Sequence, residues 1–283
     1  MKVLSLFDGI SCGRVALERA GIPVERYVAY EIDKHAIQIS KNNYSDIEHQ
    51  GDVTTADFSE YAGFDMVIGG SPCTYWSIAR ITGRETTSQG LGYDLFMQFS
   101  RAISEIRPRY FLYENNYSIS ADIKQAISDE LGVKPIMINS ALVSGQQRKR
   151  MYWTNIPNIK QPADKHIRLC DVLEPDRVWK PVGYWAYQMW GDMLKIDKLY
   201  KLTNNKSATL TTKKTHPQNY YLNADKSQYT NLTVTEFERL QTLPDGYTKG
   251  VADSHRYKAI GNGWTVDVVA HIMRHIPAFE VSQ

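Results

Sequence analysis

The chain has 283 residues, 42% hydrophobic and 23% charged, with a formal net charge of +2, a balance that suits one full core plus a smaller second one. No apolar run is long enough to span a bilayer and no signal-peptide pattern opens the chain, so a membrane protein is excluded and a cytoplasmic setting is expected. Three cysteines, Cys12, Cys73 and Cys170, cannot build a disulfide framework, and no Cys/His spacing suggests a metal site.

In chain order, residues 2–7 read as a strand, 8–13 as a glycine-bearing turn and 14–20 as a helix with Val15, Leu17 and Ala20 apolar. This is the opening of a nucleotide-binding βαβ unit. The spacing is not G-x-G-x-x-G, since only Gly9 and Gly13 are present, which disfavours a pyrophosphate site. The next strand, 27–30, ends in Glu31, where a Rossmann-type fold grips ribose hydroxyls. A third unit ends in Gly51-Asp52-Val53, a second acid at a strand end. Two acids can receive a ribose diol and an adenine amino group without any phosphate partner, a pattern that favours S-adenosylmethionine.

The apolar run 64–68 reads as a buried strand stopped by Gly69-Gly70-Ser71-Pro72, a loop that presents Cys73 at a strand's carboxyl end. Residues 74–92 are rich in Thr, Ser and Arg and predict a mobile loop outside any core. A helix over 93–106, a strand over 109–113 ending in Glu114, a helix over 122–131 and strands over 135–138 and 151–154 continue the alternation of a doubly wound sheet. Residues 158–228 lack clean periodicity; Trp179, Trp185 and Trp190 are expected to form a small core there. Between residues 145 and 228 stand 15 Lys+Arg against 7 Asp+Glu, whereas the remainder holds 18 against 24. A basic segment on an acidic body suits a polyanion. Thr233-Val234-Thr235-Glu236 has the form of a capping box for a helix through Leu240, and residues 265–274 predict a last helix.

Taken in order and over nearly the whole chain, these motifs resemble those of the DNA cytosine-5 methyltransferase family. Phe7-Asp8-Gly9-Ile10-Ser11-Cys12-Gly13 is similar to the first cofactor motif. Glu31, Asp52, Gly70-Ser71-Pro72-Cys73, Glu114-Asn115 and Gln146-x-Arg148-x-Arg150 are similar to successive ones. Glu236-x-x-Arg239-Leu240-Gln241 and Gly261-Asn262 are similar to the last two. The Phe-Asp-Gly-Ile and Ile-Gly-Gly-Ser-Pro-Cys stretches look most like the de novo methyltransferase branch. Asn116 departs from the family's Glu-Asn-Val triplet, Val234 stands where many members have proline, and Thr230 where many have arginine.

The resemblance implies a Rossmann-like α/β methyltransferase sheet with a small irregular target-recognition domain. It implies a catalytic domain over 1–157, a target-recognition region over 158–228 and a return to the catalytic domain over 229–283. S-adenosylmethionine would be held by Phe7, Gly9, Gly13, Glu31, Asp52 and Pro72, with Asn262 and Trp264 closing the site. The substrate would be double-stranded DNA, with Cys73 adding to carbon 6 of a flipped cytosine and Glu114 bonded to the base's ring nitrogen. Arg148 would orient Glu114, Arg150 would hold the base carbonyl or a flanking phosphate, and Lys213 and Lys214 would contact phosphates. Neither a metal nor an obligate protein partner is implied. The RNA-active branch carries a Cys-Phe-Thr tripeptide absent here, and a non-enzymatic DNA-binding paralogue would not need Cys73, Glu114, Arg148 and Arg150 together. Restriction-modification, orphan and viral self-protection roles fit the chain equally.

Overall fold

The computed structural model describes residues 1–77, 82–181, 206–214, 220–222 and 227–277. Seven strands form one sheet: β1 (Lys2–Leu6), β2 (Arg26–Tyr30), β3 (Ile47–His49), β4 (Met66–Gly69), β5 (Tyr110–Asn116), β6 (Ile136–Asn139) and β7 (Lys149–Thr154). Their spatial order is β3-β2-β1-β4-β5-β7-β6. β1 pairs in parallel with both β2 and β4, β2 with β3 and β4 with β5, whereas β7 runs antiparallel to β5. The chain therefore reverses its winding between β1 and β4, and the carboxyl ends of those two strands form the crevice where open α/β sheets place ligands.

The buried runs of β1, β4 and β5 explain why the strands read as continuous apolar stretches: every residue of β4 and β5 is buried. Helices α1 (Cys12–Ala20), α2 (Lys34–Asn43), α3 (Leu91–Ile106) and α4 (Ala121–Leu131) connect them. α1 and α4 are followed by Gly21 and Gly132 in the left-handed conformation, which glycine adopts without a Cβ penalty. The second connection, read from sequence without its helix, is α2, started by the Asp33 carboxylate accepting from the His35 amide at 2.9 Å.

The chain divides into two compact units, Met1–Ile138 with Lys149–Gln161 and the stretch from Val268 onward, and Asn139–Arg148 with Pro162–Asp267. This differs from a division at 157 and 228, because residues 229–267 lie in the second unit. Helices α5 (Val234–Leu240) and α6 (Asp253–Asn262) carry Phe237, Leu240, Tyr257 and Ile260 into that unit's own core, with Leu169, Leu210 and Tyr221. Helix α7 (Val266–Met273) follows. The second unit also holds an antiparallel sheet, β8 (Lys180–Pro181), β9 (Tyr220–Leu222) and β10 (Gln228–Asn231), in the order β8-β10-β9. Trp179 packs against this unit's core; Trp185 and Trp190 lie outside the described residues.

The capping box at α5 is present. The Thr233 hydroxyl accepts from the Glu236 amide at 3.2 Å and the Glu236 carboxylate accepts from the Thr233 amide at 2.9 Å. Val234 takes the first helical position, where proline is tolerated because that amide has no intrahelical acceptor.

Candidate active site and cofactor turn

The first unit gathers most of the residues that the motifs single out. The turn after β1 is wound tightly: Phe7, Gly9 and Ser11 have φ of 58°, 61° and 61°. Two of these three are not glycine, and a side chain in the left-handed region costs about 1–2 kcal/mol. Such strain persists only where the surroundings hold it, and it clusters at binding sites. Here the surroundings are polar and buried. The Asp8 carboxylate accepts from the Ser11 hydroxyl at 2.6 Å and from the Tyr27 hydroxyl at 2.7 Å. Ser11 also pairs with the Ser40 hydroxyl at 2.6 Å, and Ser40 with Nε2 of His49 at 3.2 Å.

Glu31, at the end of β2, accepts from the Gly9 amide at 2.8 Å with one carboxylate oxygen. The other accepts from the amides of Ile32 and Asp33, each at 2.8 Å. Burial pushes this carboxyl above its ordinary range, against the pull of the three amides. Asp52, past the end of β3, caps a short turn over Val53–Thr55 and accepts from the amide and hydroxyl of Thr54, both at 2.9 Å. Those bonds hold it below the usual carboxylate range. Gly13 is buried in the first turn of α1, and Pro72 is exposed past the end of β4. Phe7, Glu31, Asp52 and Pro72 thus follow the carboxyl ends of four adjacent strands. Ile32 joins them: its side chain is 74% exposed beside Glu31, a large aliphatic surface that the acid-centred sequence reading passes over.

The loop after β4 is fastened to β5. Gly69 pairs with Tyr113 in the ladder, and a Cβ at Gly69 would meet the Leu6 carbonyl oxygen of β1 at 2.7 Å, so only glycine fits this crossing. Two residues on, the Ser71 hydroxyl pairs with the buried Tyr113 hydroxyl at 2.6 Å. The Asn115 side-chain amide donates to the Ser71 carbonyl at 3.3 Å and to the Tyr113 hydroxyl at 3.2 Å. The Tyr113 ring is held by Phe96, Phe99 and Trp153, at centroid distances of 5.1, 5.0 and 5.8 Å. Cys73 then opens a short helical turn, Cys73–Tyr75; its side chain lies outside what the structure describes. The Cys73 loop and the Glu114 strand are therefore brought together by Ser71, Tyr113 and Asn115.

Residues 74–92 are not the core-free segment that composition predicts. Trp76 is fully buried among the first unit's aromatic residues, with its indole N–H donating to Glu85 at 3.1 Å. Arg84 donates to the carbonyls of Trp76, at 3.0 Å, and Ser118, at 2.5 Å. One tryptophan outweighs the polar neighbours, because burying a large aromatic surface stabilises more than the surrounding hydroxyls cost. Residues 78–81 of this stretch lie outside the described residues.

Glu114 is 9% exposed, and Nε of Arg150 lies 2.9 Å from its Oε1. Arg148, 3% exposed, donates to the carbonyls of Gly261 at 3.2 Å and Gly263 at 2.9 Å, within the second unit. Arg150 thus makes an ion pair with Glu114, and Arg148 braces the end of α6. Gln146 and Gln241 have similar bracing work. The Gln146 side-chain amide donates to the Leu240 carbonyl at 2.6 Å and to the Gln241 side-chain oxygen at 2.7 Å. Gln241 in turn donates to the carbonyls of Ile260 and Gly263, at 2.9 and 2.8 Å.

Asn262 is exposed at the end of α6 and Trp264 half-buried two residues later, both in the second unit. Gly261 is forced by contact, since a Cβ there would lie 2.6 Å from the Thr211 carbonyl oxygen. Lys213 and Lys214 are exposed on the segment that crosses Gly261, with Nζ of Lys214 5.9 Å from the Tyr257 ring centroid. Among the described residues no His/Cys/Asp/Glu cluster could hold a metal, and no helix is long and apolar enough to cross a membrane.

The sheet order and the antiparallel β5–β7 pairing define a Rossmann-like α/β fold, shared with solved methyltransferases. Similar folds occur in the Entamoeba histolytica methyltransferase EhMeth, at a TM-score of 0.74 and 15% identity covering 97% of both chains. The S. pombe Dnmt2 methyltransferase matches at a TM-score of 0.68 and 18% identity, covering 96% of both. In sequence, the chain is 25% identical over 309 aligned positions to the type II methyltransferase M.NlaX of Neisseria lactamica, covering 98% of this chain and 96% of that one. It is 26% identical over 316 positions to the type II methyltransferase M1.ScrFI of Lactococcus lactis subsp. cremoris, covering 95% and 76%. Residues 1–167 and 125–278 match the C-5 cytosine-specific DNA methylase family, and the chain belongs to that family.

Proposed function

We propose that the chain transfers a methyl group from S-adenosylmethionine to carbon 5 of a flipped cytosine within a specific duplex DNA sequence, through a covalent bond to Cys73. The observation that carries this reading is the Ser71–Tyr113–Asn115 fastening, which joins the Cys73 loop to the strand of the Arg150-paired Glu114.

The residues at the β1–β4 crevice fit the cofactor. A carboxylate offers about four acceptor sites, of which three on Glu31 are taken by amides, leaving one for a ribose hydroxyl. Space is open beyond the Gly9 backbone, where an added Cβ would meet nothing within 4 Å. Ile32 offers an apolar face for a planar base, and Asp52 an exposed acceptor for its amino group. Two carboxylates repel a pyrophosphate, which argues for a nucleoside that carries none. When bound, S-adenosylmethionine supplies an electrophilic methyl group on a sulfonium.

Carbon 5 of cytosine is a weak nucleophile until the ring's conjugation is broken. The Cys73 thiolate adds to carbon 6 while the acid form of Glu114 donates its proton in a hydrogen bond to the ring nitrogen, and the electron pair of the double bond moves to carbon 5. Arg150 holds the Glu114 carboxyl in place for that contact. After methylation, loss of the carbon 5 proton restores the double bond and expels Cys73 as thiolate. A base in a duplex cannot reach such a pocket, hence the flipping step, a general property of DNA methyltransferases. The basic stretch from 145 to 228, with Lys213 and Lys214, supplies phosphate contacts and sequence choice. Each lysine on a phosphate steepens the salt dependence of binding by about one unit, which a double alanine variant measures.

A duplex bearing 5-fluorocytosine tests the covalent step. The wild type is expected to form a denaturation-resistant adduct at Cys73, and Cys73→Ala to form none while binding cofactor normally. An adduct mapped to Cys12 or Cys170 would overturn the assignment. Bisulfite sequencing of plasmid DNA from expressing cells reports the target base and its context together.

A further inference from the structure

The first unit carries a basic cluster built on one tyrosine, in which Lys149 belongs to the basic stretch from 145 to 228 and Lys124 lies outside it. Tyr117 follows β5 three residues after Glu114 and is 45% exposed. Nζ of Lys124, from the first turn of α4, lies 4.8 Å from its ring centroid, and Nζ of Lys149, at the start of β7, lies 5.5 Å from it. Both distances are within the range of a cation–π contact. Among the described residues no ion pair joins a carboxylate to either ammonium; Glu114, three residues before Tyr117, pairs with Arg150.

Two ammonium groups gathered on one ring repel each other, since they lie within roughly one Debye length, ~10 Å at 0.1 M salt. An anion bridging them removes that repulsion. The β5–β7 register shows where such an anion would sit. Asn116 faces Arg150, so Tyr117 and Lys149 come one step beyond the pair that holds Glu114. A polyanion held at this end of β5 and β7 lies within three residues of Glu114 along the strand.

We propose that Lys124 and Lys149, seated on Tyr117, form a phosphate clamp on the catalytic unit that grips the duplex DNA backbone next to the base delivered to Glu114. The inference rests on the DNA reading above and, through Lys124, places part of the affinity outside the basic stretch from 145 to 228. It makes the clamp indifferent to sequence, because phosphates position a duplex without reporting its bases.

The test titrates a mixed-sequence duplex against the full chain by fluorescence anisotropy over a salt series. It compares wild type, Lys124→Ala/Lys149→Ala, each single variant, Lys124→Arg/Lys149→Arg and Lys134→Ala, which lies beyond the other end of α4. The double alanine variant is expected to have a log Kd against log salt slope shallower by about two units, and each single variant by about one. The arginine pair keeps the wild-type slope, and Lys134→Ala does not change it. Bisulfite sequencing is expected to find the same methylated motif in all variants, and calorimetry the same cofactor affinity. A wild-type slope in the alanine variants overturns the clamp. So does an equal change in Lys134→Ala, which would show a diffuse field in place of a site. Failure of the DNA reading looks different: the wild type itself then neither binds the duplex nor methylates plasmid DNA.

Discussion

Nε of Arg150 stands 2.9 Å from Oε1 of Glu114, and both side chains keep a little solvent contact, at 14% and 12% exposure. The pair is formed diagonally across the antiparallel β5–β7 ladder, in which Arg150 faces Asn116 and Glu114 faces Tyr152. A rigid guanidinium held by one strand therefore sets the orientation of the acid on the next.

Arg150→Lys keeps the charge and loses the planar donor, so it separates orientation from electrostatics. Misplacing a catalytic group by about 1 Å can cost ~100-fold in rate. Arg150→Lys is expected to lower kcat by about that factor with little change in cofactor affinity, measured by tritium transfer and calorimetry. A variant with normal kcat would show that the pair has no orienting role.

Glu31 anchors three amides and offers one remaining acceptor. Glu31→Ala is expected to weaken S-adenosylmethionine binding by about 1–3 kcal/mol, the cost of leaving buried hydrogen-bonding groups unpaired. Calorimetry with S-adenosylmethionine and with NAD checks both the size and the ligand. Tight NAD binding with no S-adenosylmethionine binding would reverse the cofactor assignment.

Gly69 faces Leu6 at the carboxyl end of the β1–β4 ladder, with the Leu6 carbonyl oxygen 2.7 Å from an added Cβ. Backbone cannot rotate away as a side chain can, so Gly69→Ala forces the two strands apart. The expected loss is about 1–3 kcal/mol, typical of overpacking. Because both loops of the crevice leave from these strand ends, kcat is expected to fall as well. A melting curve and a rate identical to wild type would contradict the contact.

His49 ends the hydrogen-bonded chain Asp8–Ser11–Ser40–His49 that ties the turn after β1 to α2 and β3. Burial holds its imidazole below the ordinary value, against the pull of Asp8 and with a smaller push from Lys41. A depressed folded pKa means a contribution present above the unfolded value, near 6.5, and lost as pH falls through the lower folded one. Between about pH 8 and pH 5 the melting temperature of wild type is expected to drop more than that of His49→Gln. Parallel curves would show that His49 titrates alike in both states.

The order of elements in the first unit was legible because its strands are buried on both faces and its turns carry Gly, Pro and acids at strand ends. The chain alone supplied Cys73, Glu114, Glu31 and Asp52 as a set, and the capping box at Thr233 as a local pattern of side chain and amide. Contacts between distant residues carry no such local pattern. Arg150 and Arg148 are two residues apart and chemically identical, and the β5–β7 register is what brings Arg150 to Glu114. Trp76 stands in a polar stretch whose average conceals one large buried ring. Gln146 and Gln241 stand in the motifs and satisfy buried carbonyls between 19 and 94 positions away in sequence. The ordered motifs carried the family resemblance; the tertiary structure decided which of those residues lie at strand ends and which satisfy buried carbonyls, because that choice depends on packing partners that no stretch of sequence contains.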